Sequence, residues 1–74
     1  MFRNPDRILR GLLRVRFLVT THGGSTWDGL LMEVDERTIV LRDVKVIGTD
    51  GTETAADGEV LIPRSDVAYM QRTP

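Results

Sequence analysis

The sequence predicts a single small all-β domain, in which a short N-terminal helix precedes a five-stranded, strongly bent antiparallel sheet that forms a small open barrel. Its 74 residues leave room for one domain, residues 1–74. Apolar and polar residues alternate along short segments beyond Leu13, as in half-buried strands. Glycine-rich or polar turns separate these segments, and that spacing is typical of small barrels.

The helix is predicted over residues 4–11. Asn4 can cap the first free N–H groups, and Pro5 occupies the first helical position, where its missing N–H costs no hydrogen bond. Asp6 places a negative charge at the positive end of the helix dipole. Gly11 can adopt the left-handed conformation that ends a helix.

The first two strands are predicted to form a hairpin. Alternation of apolar and polar residues runs through residues 13–20, and Gly23-Gly24 then supplies the positive φ of a tight turn. The second strand covers residues 26–34. Gly29 lies inside it, and because glycine weakens a strand interior it indicates a bend or bulge there.

The third strand is predicted over residues 38–47, which are rich in β-branched residues. Residues 48–58 carry almost no large apolar side chain, and we predict an exposed, variable loop there. Short strands over residues 59–62 and 66–71 complete the sheet, with Pro63 ending the first of them.

The last two strands are expected to form the edges of the sheet, where unpaired backbone groups must be covered. Pairing the fourth strand of one copy with the fifth strand of the next satisfies both edges, and such a heterologous contact closes only as a ring or propagates as a fibre. Oligomerisation also suits a small chain without cysteine, whose core is thin. The residues expected at this interface are Val60, Leu61, Ile62, Val67, Tyr69 and Met70.

Charge is unevenly distributed along the chain. Residues 1–16 carry five arginines and one acid, a net charge of +4, whereas the remainder carries a net charge of −5. A basic arm on an acidic body suggests an anionic partner for the arm. The alternative is that these arginines only solvate the helix and one strand face.

Little in the sequence supports catalysis or metal binding. The chain has no cysteine, and its one histidine, His22, lies at a hairpin tip, so we expect no catalytic residue, no metal site and no cofactor. No apolar run approaches the roughly 20 residues that cross a bilayer, and arginines interrupt the apolar stretches at the N-terminus. We expect a cytoplasmic protein that does not engage a membrane.

Two stretches of the sequence resemble the paired motifs of the Sm-like (LSm) family. The first covers residues 27–35, an aromatic residue, then Gly and Leu at two-residue steps, then a hydrophobic residue and Asp, and continues over residues 39–44. The second covers residues 61–70. The resemblance spans residues 4–71 and implies a small Sm-like barrel, a homo-oligomeric ring and binding of single-stranded RNA.

The chain departs from the family pattern at the positions that contact RNA. Thr38 best matches the position where RNA-binding members carry Asn, and Pro63-Arg64 stands where they carry Arg-Gly. The Tyr-Lys-His signature of the bacterial RNA chaperones is absent. Arg64 can contact phosphate or stack on a base, or it can shape its turn by pairing with Asp35 or Asp66. The candidate nucleic-acid-binding residues are Arg64, Thr38, Asp35, Ser65, Arg3, Arg7 and Arg10.

Three functional hypotheses remain open from the sequence. The first is a ring that binds single-stranded RNA and acts in RNA metabolism. The second is a structural or adaptor module, in a phage or prophage system, whose partners are other proteins. The third is an SH3-like barrel that stays monomeric. A small-barrel fold alone does not choose among them.

Overall fold

The computed structural model describes residues 6–73, and these form the predicted short helix followed by a five-stranded sheet. The helical and strand elements of this part of the chain are α1 (Asp6–Arg10), β1 (Arg16–Thr21), β2 (Thr26–Val34), β3 (Thr38–Ile47), β4 (Glu53–Pro63), a 3₁₀ turn (Arg64–Asp66) and β5 (Val67–Arg72).

The five strands form one antiparallel sheet in the order β4-β3-β2-β1-β5. Each hairpin joins neighbours in space, while β5 crosses over to pair with β1. The two edges are therefore β4 and β5, as the sequence predicted. No helix among residues 6–73 is long and apolar enough to span a membrane.

The core lies on the concave face of the bent sheet, and the strand periodicity explains its membership. In β1 every second residue is buried, so Phe17 and Val19 face inward. Leu9 and Leu12 of the N-terminal segment pack against this cluster and cover part of it. The buried apolar residues are Phe17, Val19, Leu31, Ile39, Leu41, Val44 and Ile62.

The bend runs across β2, β3 and β4 at residues that accept unusual backbone conformations. The pairing registers of β2 with β3 and of β3 with β4 shift beside Gly29 and Asp43, as the bend predicted at Gly29 requires. Asp43 has a φ of 56°, and Gly58, near it on β4, has a φ of 76°. Asp43 tolerates the left-handed region better than a bulky residue would.

Arg16 connects the strands at this bend through two ion pairs. Its guanidinium donates to Asp28 of β2 at 2.8 Å and to Asp43 of β3 at 2.5 Å. The hydrogen bond to Asp28, and to a smaller extent that to Asp43, raises the pKa of Arg16 above its ordinary value. One arginine thus links three strands where two registers shift.

The predicted loop over residues 48–58 was wrong for its second half. A tight turn closes at Thr52, whose carbonyl accepts from the Gly48 N–H at 2.7 Å, and β4 begins at Glu53. Asp50 stabilises the turn by accepting from the Thr52 N–H and hydroxyl at 3.1 and 2.7 Å. Residues 53–58 are polar or small because this part of the edge strand lies beyond the bend and contacts little of the core. Their pairing with β3 is enough to keep them extended.

The N-terminal boundaries also differ from the prediction. Asn4 and Pro5 of the predicted helix over residues 4–11 lie outside the described residues, and the helix ends at Arg10. Residues 11–14 form turns, with Arg14 at a φ of 67°, so the first strand starts at Arg16 rather than at residue 13.

Candidate nucleic-acid interface

Two predicted site residues, Asp35 and Thr38, lie at the β2–β3 turn. This turn forms one wall of a recess, called the corner below, and Arg64 forms the other wall. The Asp35 N–H donates to the Thr38 carbonyl at 3.0 Å and closes the turn. The Asp35 carboxylate oxygen Oδ1 accepts from the backbone N–H groups of Arg37 and Thr38, both at 2.8 Å. Asp35 therefore fixes the loop backbone, as short acidic side chains commonly do in turns.

These hydrogen bonds alter the acidity of Asp35. The N–H groups of Arg37 and then Thr38 stabilise its charged form and lower its pKa below the ordinary value, with a smaller contribution from the positive charges of Arg37 and Arg64. The carboxylate therefore stays ionised, and the turn stays closed, throughout the neutral range.

Arg64 forms the other wall of the corner. It directly follows β4, and its backbone N–H donates to the Arg37 carbonyl at 2.8 Å. Its guanidinium Nη1 donates to the backbone carbonyl of Asp35, also at 2.8 Å. The sequence pointed to pairing with Asp35 or Asp66, and this bond to the Asp35 carbonyl links the β4–β5 connection to the β2–β3 turn.

The remaining predicted site residues lie at different distances from this corner. Ser65 is exposed and follows Arg64 in the 3₁₀ turn. Arg10 is exposed on α1 and borders a depression that also includes Glu33 and Val34 near the end of β2. Arg7 borders a separate groove beside Arg72, lined mainly by apolar atoms. Arg3 lies outside the described residues.

A shallow depression adjoins the corner on the convex face of the sheet. Glu33, Val40 and Leu61 lie directly opposite one another across β2, β3 and β4, so their side chains share this face. The depression has a volume of about 210 Å³. Its lining residues are Glu33, Val34, Asp35, Thr38, Val40 and Leu61.

Sequence reasoning missed Glu33 and Val40 as members of this site. Both alternate outward in their strands, which the sequence pattern indicates, but their meeting depends on cross-strand register. The β2–β3 register shifts between Leu31 and Glu33, and this shift decides which residue faces Val40. Such a shift has no clear signal in the sequence.

The predicted interface residues divide into exposed and buried groups. Leu61 and Tyr69 are 63% and 55% exposed, unusually high for large apolar side chains on strands. Ile62 is only 4% exposed and is paired with Ile39, so its side chain packs into the chain's own core. Its position follows from alternation, because Leu61 and Ile62 must point to opposite faces. Val60, Val67 and Met70 are half-buried against the chain's own core.

The free backbone groups of β4 can be located from the hydrogen-bond alternation of antiparallel pairs. The Arg64 N–H donates to the Arg37 carbonyl, so these two residues are a hydrogen-bonded pair. Because such pairs alternate along antiparallel strands, Ile62 also directs its backbone groups toward β3. Leu61 and Pro63 direct theirs away from the sheet. Pro63 removes one donor from this outer row, as proline on an edge strand commonly does. The edge therefore remains available for pairing at Leu61.

The β5 edge shows the same alternation. The Thr73 N–H donates to the Arg16 carbonyl at 3.4 Å, so Gln71 directs its backbone groups toward β1 and Met70 and Arg72 direct theirs outward. Both edges of the described chain thus carry outward backbone groups without a neighbouring strand.

The architecture described above defines the chain as a small Sm-like barrel, and comparison with solved structures agrees. The archaeal protein SmAP1 from P. aerophilum, solved as a heptamer, is 20% identical with a TM-score of 0.86, covering 100% of this chain and 99% of that chain. The Sm protein from Pyrococcus abyssii, solved in complex with a uridine heptamer, is 25% identical with a TM-score of 0.82, covering 96% and 100%.

A chain from the crystal structure of the NatC complex bound to CoA is also similar, at 20% identity and a TM-score of 0.74, covering 99% of this chain and 90% of that chain. No protein-family model matches the sequence, and no curated protein does. The chain is therefore an Sm-like protein by fold, and the resemblance seen in the strand motifs is confirmed.

Proposed function

We propose that copies of this chain assemble into a ring through their β4 and β5 edges, and that the ring binds single-stranded RNA in the cytoplasm. The observation that carries the proposal is the corner at which Asp35, Thr38 and Arg64 meet, beside an exposed edge strand, in a chain of Sm-like fold. The heptameric archaeal SmAP1 and the uridine-bound Pyrococcus Sm protein support both halves of it.

Assembly follows from the two edges. Leu61 on β4 and Tyr69 on β5 are large, exposed side chains beside outward-directed backbone groups. In water, such edges are templates for another strand, and the complementary strand on a second copy is the other edge of the same fold. Because β4 and β5 are different surfaces, the contact is heterologous and either closes as a ring or propagates as a fibre; the heptameric archaeal SmAP1 supports the ring.

Binding at the corner uses the planar face of Arg64. The bond to the Asp35 carbonyl fixes the guanidinium in the turn, and a fixed guanidinium plane is a surface on which a base can stack. Arg10 borders the neighbouring depression and supplies positive charge for backbone phosphates. Affinity is therefore expected to fall as the salt concentration rises.

A titration of fluorescently labelled oligouridine and oligoadenine at 50 and 200 mM salt tests this function. We expect binding at low salt that weakens at high salt. Arg64→Ala should weaken binding roughly fivefold to 100-fold, the range expected when one stacking contact is lost. Lys45→Ala removes the same charge from an exposed position beyond the bend and should change affinity less than about twofold.

Two results would contradict the proposal: no binding of either oligonucleotide at low salt, or equal losses in Arg64→Ala and Lys45→Ala. Arg64→Lys adds a check, because it keeps the charge but removes the planar surface. We expect Arg64→Lys to bind nearly as weakly as Arg64→Ala if stacking dominates.

A second candidate function is an adaptor whose partners are other proteins. The similarity to a chain of the NatC complex favours it, as does the groove beside α1, where Ile8 is 71% exposed between Arg7 and Arg72. A protein that wild type captures from nuclease-treated lysate, and that Ile8→Lys does not capture, would support the adaptor function. A captured protein that is lost on nuclease treatment would argue against it.

A further inference from the structure

We infer that the depression beside Arg64 selects bases that present N–H donors, guanine first, and discriminates against uracil. This inference rests on the proposed RNA-binding function and concerns the same site. It is carried by Glu33, which lines the depression and is placed opposite Val40 by the register of β2 and β3.

The shape of the depression suits the flat face of a base. Val40 and Leu61 lie opposite each other on one face of the sheet, and both line the depression. Asp35 and Thr38 also line it, and the Arg64 guanidinium donates to the Asp35 carbonyl. A base lying on Val40 and Leu61 would have its ring edge beside Glu33, because Glu33 is directly opposite Val40 in the adjacent strand.

The polar groups around this space are mainly acceptors. The carboxylate of Glu33 can only accept hydrogen bonds. Oδ1 of Asp35 already accepts from two backbone N–H groups. Thr38 offers one hydroxyl, which can donate or accept once oriented. The lining contains no asparagine or glutamine, so no carboxamide can pair with a donor and an acceptor on the same base.

Base edges differ in how well they match a carboxylate. Guanine presents two parallel donors, N1–H and N2–H, which one carboxylate can accept in the two-pronged geometry that carboxylates also form with guanidinium groups. Cytosine and adenine present a single amino group. Uracil presents one N–H between two carbonyl oxygens, which would face the negative charge of Glu33. A well-placed pair of hydrogen bonds discriminates between bases roughly fivefold to 150-fold.

The test compares seven-nucleotide RNAs that differ only at the central base, placed in an oligouridine background. This design avoids the self-association of guanine-rich oligonucleotides. The wild-type protein should bind the RNA with central guanine at least fivefold more tightly than the all-uridine RNA, with central cytosine and adenine between them. Equal affinities, or tighter binding of the all-uridine RNA, would overturn the inference while leaving RNA binding intact; absence of binding to all four would instead remove the proposed function.

Glu33→Gln identifies the responsible residue, since it keeps the size of the side chain and replaces the carboxylate with a carboxamide. Its amide can pair with the N3–H and a carbonyl of uracil, so the guanine preference should fall below about twofold. Glu36→Gln is the matched control: Glu36 is exposed in the same turn but does not line the depression.

Both variants remove one negative charge, and in Glu36→Gln this should tighten binding of all four RNAs to a similar degree. Only Glu33→Gln should change their ranking. An unchanged ranking in Glu33→Gln, or the same change in Glu36→Gln, would contradict the assignment.

Discussion

Replacing Gly29 with alanine tests the packing at the bend that shapes the candidate site. A Cβ at this position would lie 3.0 Å from Cγ2 of Val44 and 3.1 Å from Cβ of Leu41. Val44 is 2% exposed and Leu41 is fully buried, so neither can move into open space. Overpacking of this kind typically costs about 1–3 kcal/mol, and we expect Gly29→Ala to lower the free energy of unfolding by that amount.

The assay is urea unfolding followed by the fluorescence of Trp27, at one fixed protein concentration because association affects apparent stability. Gly23→Ala is the control, since its nearest neighbouring atom would be 4.0 Å away, and it should change stability by less than about 0.5 kcal/mol. The loss in Gly29→Ala/Val44→Ala should be smaller than the sum of the losses in the two single variants, because Val44→Ala removes the methyl group in the closest contact. Equal stability of Gly29→Ala and wild type would refute the close packing described at the bend.

Two further predictions concern the turn and the edge. The folded state lowers the pKa of Asp35, so the stability that its carboxylate contributes is present above the unfolded pKa near 3.8 and is lost as the pH falls through the folded pKa. Asp35→Asn does not titrate and should therefore have a lower melting temperature than wild type at pH 6. This difference in melting temperature should close below about pH 4. A gap that stays constant between pH 6 and pH 2 would contradict the assigned role. Leu61→Lys should leave the fold intact but reduce the assembled mass in sedimentation velocity, whereas Ile8→Lys, at an equally exposed site on α1, should not. Equal masses for the two variants would place the contact elsewhere.

The presence of the first three strands was predictable because it depends on local patterns. The alternation in β1, the glycines before β2 and the β-branched residues of β3 each indicate an element without reference to the rest of the chain. The second and third strands begin and end where the sequence predicted, at 26–34 and 38–47. The edge positions of β4 and β5 followed from the shape of a bent antiparallel sheet.

The beginning of β4 was not predictable from its residues. Residues 53–58 are polar or small, which is typical of a loop, but cross-strand charge pairs such as Lys45 with Glu53 at 3.7 Å lie along an edge strand that faces solvent. The pairing partner, β3, holds this segment extended although its own propensity is weak.

The candidate site was predicted only in part for a related reason. Asp35, Thr38 and Arg64 stand in turns that family resemblance could align. The depression with Glu33 and Val40 depends on how β2 registers against β3, as does the link from Arg16 to Asp43, and one-residue shifts in register reverse which side chains share a face.

Measurement of the mass of the wild-type protein in solution tests the central claim most directly. Native mass spectrometry and light scattering over a range of dilutions should both report one assembly whose mass is a fixed multiple of the 8.3 kDa chain. Pairing of the two non-identical edges between copies produces such an assembly when the rotation between neighbours closes the ring. A folded species of 8.3 kDa at every concentration would contradict it.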